Sequence, residues 1–236
     1  MMFNFKIPTE VLFGSKSRDR VFDVLDQNNW ENIGVVIDGN LRGLPLFEGF
    51  LDKISLRKSL VTANCEISEP TYTSLEEVRT DFCKPSLDCI IGIGGGSAID
   101  MAKAMAVLVH NDKPAIAYRG FDKMDQPVLP IIAIPTTAGT GTEVTPNASF
   151  VDSVEKKKMG INGEAVRPQY AFLDPEFTLT CPLRPTVSAA VDSIVHATEA
   201  FVAKKSNPIA KFFAREGFQK VIISLPKLVE DLNSIE

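Results

Sequence analysis

One glycine-rich stretch, placed between an apolar run and a helix-forming run, constrains the fold of this chain most. It reads IIGIGGGSAIDMAK over residues 90–103 and predicts a buried strand, a tight glycine turn and a helix. Glycines let backbone N–H groups approach a ligand closely, and the positive end of the following helix favours an anion. We expect Ser97 to cap the helix and to offer its hydroxyl to a phosphate. The stretch predicts a phosphate-binding turn, and a simple strand-to-helix connection is the alternative.

Further apolar runs alternate with helical patterns before the character of the chain changes. NIGVVID over residues 32–38 and VLPIIAI over residues 128–134 are typical of strands buried on both faces of a parallel sheet. Later patterns are helical only, with a kink expected at Pro226. We predict a mainly parallel α/β domain over residues 1–181, followed by the start of an all-helical domain over residues 182–236.

Three local expectations accompany this fold. Residues 150–151 and 158–161 are predicted to pair as antiparallel strands across a polar turn. Ser74 and Glu77 have the spacing of a capping box at the start of a helix. Residues 114–126 are predicted to form a loop.

Charge and apolar patterning exclude several classes of partner. The formal net charge is −5 and no basic cluster is longer than residues 156–158, so the chain is not expected to bind nucleic acid. No apolar run approaches the length of a membrane span, and the first residues lack the order of a secretion signal. The four cysteines show no CxxC pairing, and in an intracellular chain we expect them to be buried or free thiols. We therefore expect a cytoplasmic protein with no membrane partner.

The glycine turn matches part of a dinucleotide-binding fingerprint. Gly92, Gly94 and Ser97 have its spacing, with a small residue in third place, and no Gly-Lys-Ser/Thr follows that would indicate a nucleoside triphosphate loop. Asp38 ends a predicted strand, where a carboxylate accepts hydrogen bonds from an adenosine ribose and repels a 2′-phosphate. The usual fingerprint places this acid after the glycines rather than before them. A turn-forming role in Asp-Gly-Asn is the structural alternative for Asp38.

Two further motifs carry polar groups suited to ligands. PTTAGTGTE over residues 135–143 places hydroxyl side chains after a predicted strand, at the edge where open α/β sheets bind ligands, with a polar connector as the alternative. Asp192 and His196 are four residues apart and would project from one helix face, where they suit a divalent transition metal. Glu199 lies three residues further on, where it can orient His196. A plain hydrogen bond between Asp192 and His196 on the helix surface is the alternative.

Taken in this order, the motifs resemble those of the iron-containing alcohol dehydrogenase family. The strings that carry the resemblance are GGGSAIDMAKA, IPTTAGTGTEVT, FLDPEFT, VDSIVHATEAF and SNPIA, spread along nearly the whole chain. The resemblance implies a dinucleotide-binding α/β domain, then an all-helical metal domain, with NAD, metal and substrate in the cleft between them. It also implies hydride transfer between the cofactor and an alcohol or aldehyde. Dehydroquinate synthase-like and glycerol-1-phosphate dehydrogenase-like enzymes share this plan, but PTTAGTGTE and DSIVHATE fit the alcohol dehydrogenases better.

The resemblance also implies roles for individual residues. Asp192 and His196 would hold the divalent metal, Fe2+ or Zn2+, which would polarise the substrate oxygen. Asp38 would contact the adenosine ribose and favour NAD over NADP, while the glycine turn would hold the pyrophosphate. The residues implied in cofactor binding are Asp38, Gly95, Gly96, Ser97, Thr136, Thr137, Thr140 and Lys158.

The helical part of the chain departs from the family pattern. The family completes its metal site with two histidines further along, whereas this sequence contains only His110 and His196 and ends at Glu236. We therefore expect the truncated N-terminal part of such an enzyme, which binds dinucleotide, holds metal weakly and associates through exposed apolar helix faces. The alternatives are a non-catalytic nucleotide-binding module and one subunit of a split enzyme, completed by a chain that carries the remaining helices.

Overall fold

Strands and helices alternate along most of the chain. The structure is a computed structural model that describes residues 2–66, 69–83 and 86–232. Within these residues the strands are β1 (Glu10–Phe13), β2 (Asn32–Asp38), β3 (Ser59–Cys65), β4 (Cys89–Gly94), β5 (Gly120–Phe121), β6 (Ile131–Pro135), β7 (Asn147–Asp152), β8 (Lys157–Asn162) and β9 (Tyr170–Leu173). The α-helices are α1 (Val21–Gln27), α2 (Pro45–Ser55), α3 (Tyr72–Phe82), α4 (Gly96–Leu108), α5 (Leu183–Val202) and α6 (Pro208–Glu230).

The larger sheet has six strands in the order β1-β9-β6-β4-β2-β3, and all its pairings are parallel. Strand β2 pairs with β3 on one side and with β4 on the other, so the chain changes direction across the sheet between these strands. The carboxyl ends of β2 and β4, at Asp38 and Gly94, therefore flank a topological switch point. Open α/β sheets bind their ligands at this point.

Helices cover both faces of this sheet because its central strands are apolar on both sides. Every residue of β4 and of β6 is buried. Helices α1 and α2 pack on one face, where Phe47 of α2 and Phe177 belong to the core. Helices α3 and α4 pack on the other face, where Leu75 and Phe82 of α3 belong to the core. Burying a side chain such as that of Phe47 contributes about 1.5–3 kcal/mol. The parallel, layered α/β fold expected from the sequence is confirmed.

A second sheet of three strands, in the order β5-β8-β7, packs against α3 and α4 through Phe150 and Ile161. Strands β7 and β8 are antiparallel, with Phe150 opposite Met159, so the predicted pairing is confirmed. The expectation of a plain loop over residues 114–126 is wrong in part. Ala115–Tyr118 forms a 3-10 turn with both end residues buried, and β5 follows it. Burial of these apolar side chains orders the segment.

Two predicted helix caps are wrong in detail. Helix α3 starts after Thr71, whose side chain accepts a hydrogen bond from the N–H of Ser74 while the Ser74 hydroxyl accepts one from the Thr71 N–H. The capping box therefore joins Thr71 and Ser74 rather than Ser74 and Glu77. The N-cap of α4 is Gly95, with no side-chain cap hydrogen bond, and Ser97 lies within the first helical turn. In both cases the extended backbone that enters the helix decides which residue is the cap.

Helices α5 and α6 pack on each other and expose many apolar side chains. Helix α6 continues past Pro226 to Glu230, so the proline lies inside the helix, and the kink expected there stays a prediction. Within the described ranges, no helix is both long and apolar enough to cross a membrane. Side chains of α5 and α6 that are at least 45% exposed include those of Val191, Val195, Phe201, Val202, Phe212, Phe213, Ile222, Ile223 and Val229.

Candidate functional site

The glycine turn lies at the switch point of the large sheet. Gly94 has a φ of 145°, a backbone conformation that residues with a Cβ rarely adopt. A Cβ built on Gly94 would lie 2.7 Å from the Cβ of Asp38 and 2.8 Å from the Cβ of Ala98. Glycine is therefore required here for β2, the turn and α4 to meet. This contact also places Asp38 beside the turn that opens α4.

Asp38 takes part in the Asp-Gly-Asn turn that was the alternative interpretation of this residue. Its Oδ1 accepts a hydrogen bond of 3.0 Å from the Asn40 backbone N–H and one of 2.9 Å from Asn40 Nδ2. Both bonds end on Oδ1. A ribose hydroxyl can bind to the same carboxylate without breaking the turn, so the two interpretations of Asp38 are compatible.

The threonine-rich loop after β6 packs against the glycine turn. A Cβ built on Gly95 would lie 3.5 Å from Thr137 Oγ1, and one built on Gly96 would lie 2.8 Å from Thr140 Cγ2. The Thr136 N–H donates a 2.9 Å hydrogen bond to a carbonyl of the turn. Two motifs that are about forty residues apart in the chain are thus neighbours at the carboxyl edge of the sheet, because β4 and β6 are paired in parallel.

A cleft of about 890 Å³ opens in front of this turn. Its walls come from the start of α4, the threonine-rich loop, strand β8 and helix α5. It therefore joins the phosphate-binding and metal-binding motifs that the sequence predicts. The predicted site residues that line it are Gly96, Ser97, Thr140, Lys158, Asp192 and His196.

The other predicted cofactor residues lie around the cleft rather than on its wall. Asp38 and Gly95 border the turn, as the contacts above place them. Thr136 and Thr137 line a smaller cavity of about 160 Å³, between the loop and α6, where Leu225 is also found. The contacts proposed for these four residues with a cofactor stay predictions, and so do those of the residues that line the cleft.

Asp192 and His196 lie one turn apart on α5 and face the cleft. Asp192 Oδ2 is 3.7 Å from His196 Nδ1, and their side chains are 43% and 51% exposed. This distance is too long for a hydrogen bond. It is close to the ~3.4 Å that separates two ligands of one tetrahedral metal ion with bonds of about 2.1 Å. No group of three or more His, Cys, Asp or Glu side chains suited to a metal occurs in residues 2–66, 69–83 and 86–232. This part of the chain thus offers two ligands.

Helix α5 contacts the threonine-rich loop directly. Ser193 Oγ donates a 3.1 Å hydrogen bond to the carbonyl oxygen of Gly139. A Cβ built on Gly139 would lie 2.6 Å from the Cβ of Ala189, so the loop and the helix are in close contact. This contact holds the Asp192–His196 pair on the side of the helix that faces the glycine turn.

Sequence reasoning missed two charged residues of α4, Asp100 and Lys103. Asp100 lines the cleft, and burial raises the pKa of its carboxyl group although Lys103 and the hydroxyl of Thr142 oppose the shift. Lys103 is fully buried, and burial lowers the pKa of its ammonium group to about 8. The signal was present in the sequence, because Asp100 and Lys103 are the charged residues in an otherwise uncharged GSAIDMAKAMAVL helix.

Comparison with known proteins agrees with these motifs. The profile of the family described as iron-containing alcohol dehydrogenase matches residues 8–175. The chain is 32% identical to the NAD-dependent methanol dehydrogenase of Bacillus methanolicus over 242 residues, which cover 100% of this chain and 62% of that protein. It is 38% identical to the sulfoacetaldehyde reductase of Bilophila wadsworthia over 141 residues, which cover 60% of this chain and 36% of that protein.

Solved structures give the same result. The sulfoacetaldehyde reductase from Bifidobacterium kashiwanohense, in complex with NAD+, superposes with a TM-score of 0.93 at 28% identity and covers 100% of this chain and 62% of that one. An iron-containing alcohol dehydrogenase from Thermotoga maritima superposes with a TM-score of 0.85 at 31% identity, over 97% of this chain and 63% of that one. The chain spans about 62% of the length of the first of these relatives. From its sequence and its fold, the chain belongs to the iron-containing alcohol dehydrogenase family.

Proposed function

We propose that the protein to which this chain belongs transfers a hydride between NAD(H) and a small alcohol or aldehyde, with the help of a divalent metal. The observation that carries the proposal is the single cleft shared by the glycine turn, Thr140, Lys158 and the Asp192–His196 pair. Two relatives support it, since one is named a NAD-dependent methanol dehydrogenase and the other is a sulfoacetaldehyde reductase in complex with NAD+.

The residues of the turn suit a dinucleotide. Helix α4 has 13 residues, and its N-terminal N–H groups favour a pyrophosphate that the glycines allow to approach. The carboxylate of Asp38 would accept hydrogen bonds from the adenosine ribose and repel the additional phosphate of NADP. The residues that would hold the cofactor are Asp38 at the ribose, Gly95, Gly96 and Ser97 at the pyrophosphate, Thr136, Thr137 and Thr140 along the cofactor, and Lys158 at a ribose hydroxyl.

Asp192 and His196 would provide two of the ligands of a divalent metal, Fe2+ or Zn2+. Their donor atoms, a carboxylate oxygen and an imidazole nitrogen, suit either ion, and their separation fits one shared site. A metal bound there would act as a Lewis acid on the substrate oxygen. Glu199 also lines the cleft, three residues from His196, and would orient the imidazole ring.

The chain would consist of a dinucleotide-binding unit over residues 1–181 and a helical unit from residue 182, immediately before α5. Catalysis would need further metal ligands, from a complementing chain or from the remainder of a longer protein. The exposed apolar side chains of α5 and α6 support association with such a helical segment or with a second copy of this chain. A non-catalytic nucleotide-binding module is the second candidate function, favoured by the fact that the described residues offer only two grouped metal ligands.

Substitution of His196 by alanine is expected to weaken binding of Fe2+ or Zn2+ to the chain by about tenfold or more, because one of two ligands is removed. His110 is the other histidine of the sequence and is exposed at the end of α4, so His110→Ala is the matched control. Calorimetric titration of the metal into each variant measures the effect. Equal metal affinity in both variants would contradict the assignment of His196.

Turnover separates the two candidate functions. NADH oxidation is followed with a panel of small aldehydes, with Fe2+ or Zn2+ supplied, for the chain alone and for the chain together with a complementing helical segment. Aldehyde-dependent oxidation that His196→Ala abolishes and His110→Ala retains supports the dehydrogenase. NADH binding without turnover in either condition supports the nucleotide-binding module.

A further inference from the structure

Lys103 is a buried cation beneath the floor of the cleft. Its side chain has no exposed surface, and its Nζ donates to the carbonyl oxygens of Thr142 at 2.6 Å, Thr145 at 3.1 Å and Asn147 at 2.6 Å. It also lies 2.7 Å from Thr142 Oγ1. One ammonium group thus binds three carbonyl groups of a single segment of six residues, 142–147.

The burial of this lysine is costly for the fold. Removing an ammonium group from water is unfavourable, and burial lowers the pKa of Lys103 to about 8 although Asp100 opposes the shift. The Asp100 carboxylate is 3.7 Å from Nζ, which is too far for a hydrogen bond. The neighbouring residues of α4 are apolar and buried, so a methionine would suit the packing better. What lysine adds is three donors and a charge that hold carbonyl oxygens.

The segment bound by Lys103 has little regular structure of its own. It follows two glycines and contains one 3-10 turn, Thr142–Val144. Asp100 supports it from the same helix, because its carboxylate accepts hydrogen bonds from Thr142 Oγ1 and from the Ser149 N–H. The Thr142 N–H in turn donates to Thr140 Oγ1 at 3.3 Å. The position of Thr140 therefore depends on that of Thr142. Thr140 lies against the glycine turn and lines the cleft.

We propose that Lys103 is a positioning residue for dinucleotide binding, which fixes the carbonyl groups of residues 142–147 so that Thr140 is held over Gly96. The inference rests on the proposed function, since it concerns the same cleft. Lys103 acts through the loop and does not touch the cofactor. Its role is separate from packing, because the hydrogen bonds to the loop come from the ammonium group.

The test compares Lys103→Met with Met105→Ala. Met105 is equally buried on the same helix and belongs to the apolar cluster, so its truncation weakens packing without removing a bond to the loop. Hydrogen exchange of peptides covering residues 139–149 is measured together with the Kd for NADH by fluorescence titration. Relative to the wild type, Lys103→Met is expected to exchange faster over residues 139–149, with a smaller change over β4. It is also expected to bind NADH at least about tenfold more weakly, or ~1.4 kcal/mol. Met105→Ala is expected to leave the Kd within about twofold.

A pH series provides a readout that a packing role would not give. As Lys103 loses its proton around its pKa of about 8, the neutral amine has fewer donors for the three carbonyl groups, so the Kd of the wild-type chain for NADH is expected to rise with pH. Lys103→Met is expected to lack this rise. The charged groups that act on Lys103, namely Asp100, Glu143 and Arg167, are all retained in the variant. The difference between the two pH profiles therefore reports Lys103.

The outcomes separate the inference from the proposed function. Equal exchange over residues 139–149 and an equal Kd in Lys103→Met and the wild type overturn the inference. Faster exchange in Lys103→Met with no NADH binding by the wild type leaves the loop-positioning role standing and contradicts the proposed function. Faster exchange in Lys103→Met, together with a Kd for NADH that is higher than that of the wild type and does not change with pH, supports both the inference and the proposed function.

Discussion

Replacement of Gly94 by alanine is expected to lower the free energy of unfolding by about 2–6 kcal/mol and to abolish NADH binding. The backbone at Gly94 has a φ of 145°, and the added Cβ would meet the Cβ atoms of Asp38 and Ala98 at 2.7 and 2.8 Å. The strand β2, the turn and the start of α4 must then move apart. This movement would separate Asp38 from the turn that we propose to bind the pyrophosphate. Urea unfolding and NADH fluorescence titration measure the two effects.

Gly14→Ala is the matched control for this substitution. Gly14 has a φ of 139°, close to that of Gly94, but a Cβ there would have no atom within 4 Å. Gly14→Ala is therefore expected to lower the free energy of unfolding only through the backbone conformation, by about 1–3 kcal/mol. A Gly94→Ala chain that is as stable as Gly14→Ala and still binds NADH would show that the close contact between β2 and the turn is not required.

Substitution of Asp38 by asparagine is expected to change the ratio of NADH affinity to NADPH affinity by about 100-fold in favour of NADPH. Loss of a hydrogen bond to a charged group costs about 1.5–3 kcal/mol, which weakens NADH binding by roughly 10- to 100-fold. Removal of the negative charge also relieves its repulsion of the 2′-phosphate, so NADPH binding becomes stronger. Asparagine retains Oδ1, the atom that accepts from the Asn40 N–H, and thereby keeps the turn.

Asn40→Ala is the control that separates the proposed ribose contact of Asp38 from its role in the turn. It removes the Asn40 side-chain bond to Asp38 Oδ1 and leaves the carboxylate in place. We expect Asn40→Ala to keep the preference of the wild type for NADH. Titration of both cofactors into the two variants measures the ratio. If Asp38→Asn and Asn40→Ala change it equally, the carboxylate serves the turn alone.

The sheet could be predicted because its determinants are local in the sequence. NIGVVID and the apolar run before the glycine turn are continuous and lack polar alternation, which is typical of parallel strands buried on both faces, and both lie where the sequence places them. The helix caps were harder to predict. Ser97 and Ser74 are suitable capping residues, but the backbone enters each helix two or three residues earlier, at Gly95 and Thr71.

The site could be predicted only as far as side-chain types reveal it. Asp192 and His196 could be singled out by their spacing, and the structure places both on the cleft. The partners of Lys103 are mostly backbone carbonyl groups about forty residues further along, which have no sequence signature of their own. Thr136 and Thr137 look equivalent to Thr140 in the sequence, but the path of the loop places them on a separate, smaller cavity that α6 also lines. Such differences depend on tertiary packing.

A crystal structure of the chain grown with saturating NADH tests the central claim, that the cleft at the glycine turn is a dinucleotide site. We expect the pyrophosphate at about 3 Å from the backbone nitrogen atoms of Gly95 and Gly96, the adenosine ribose at Asp38 and the nicotinamide on the side of Asp192 and His196. NADH bound elsewhere on the chain, or a glycine turn without NADH at saturation, would contradict it.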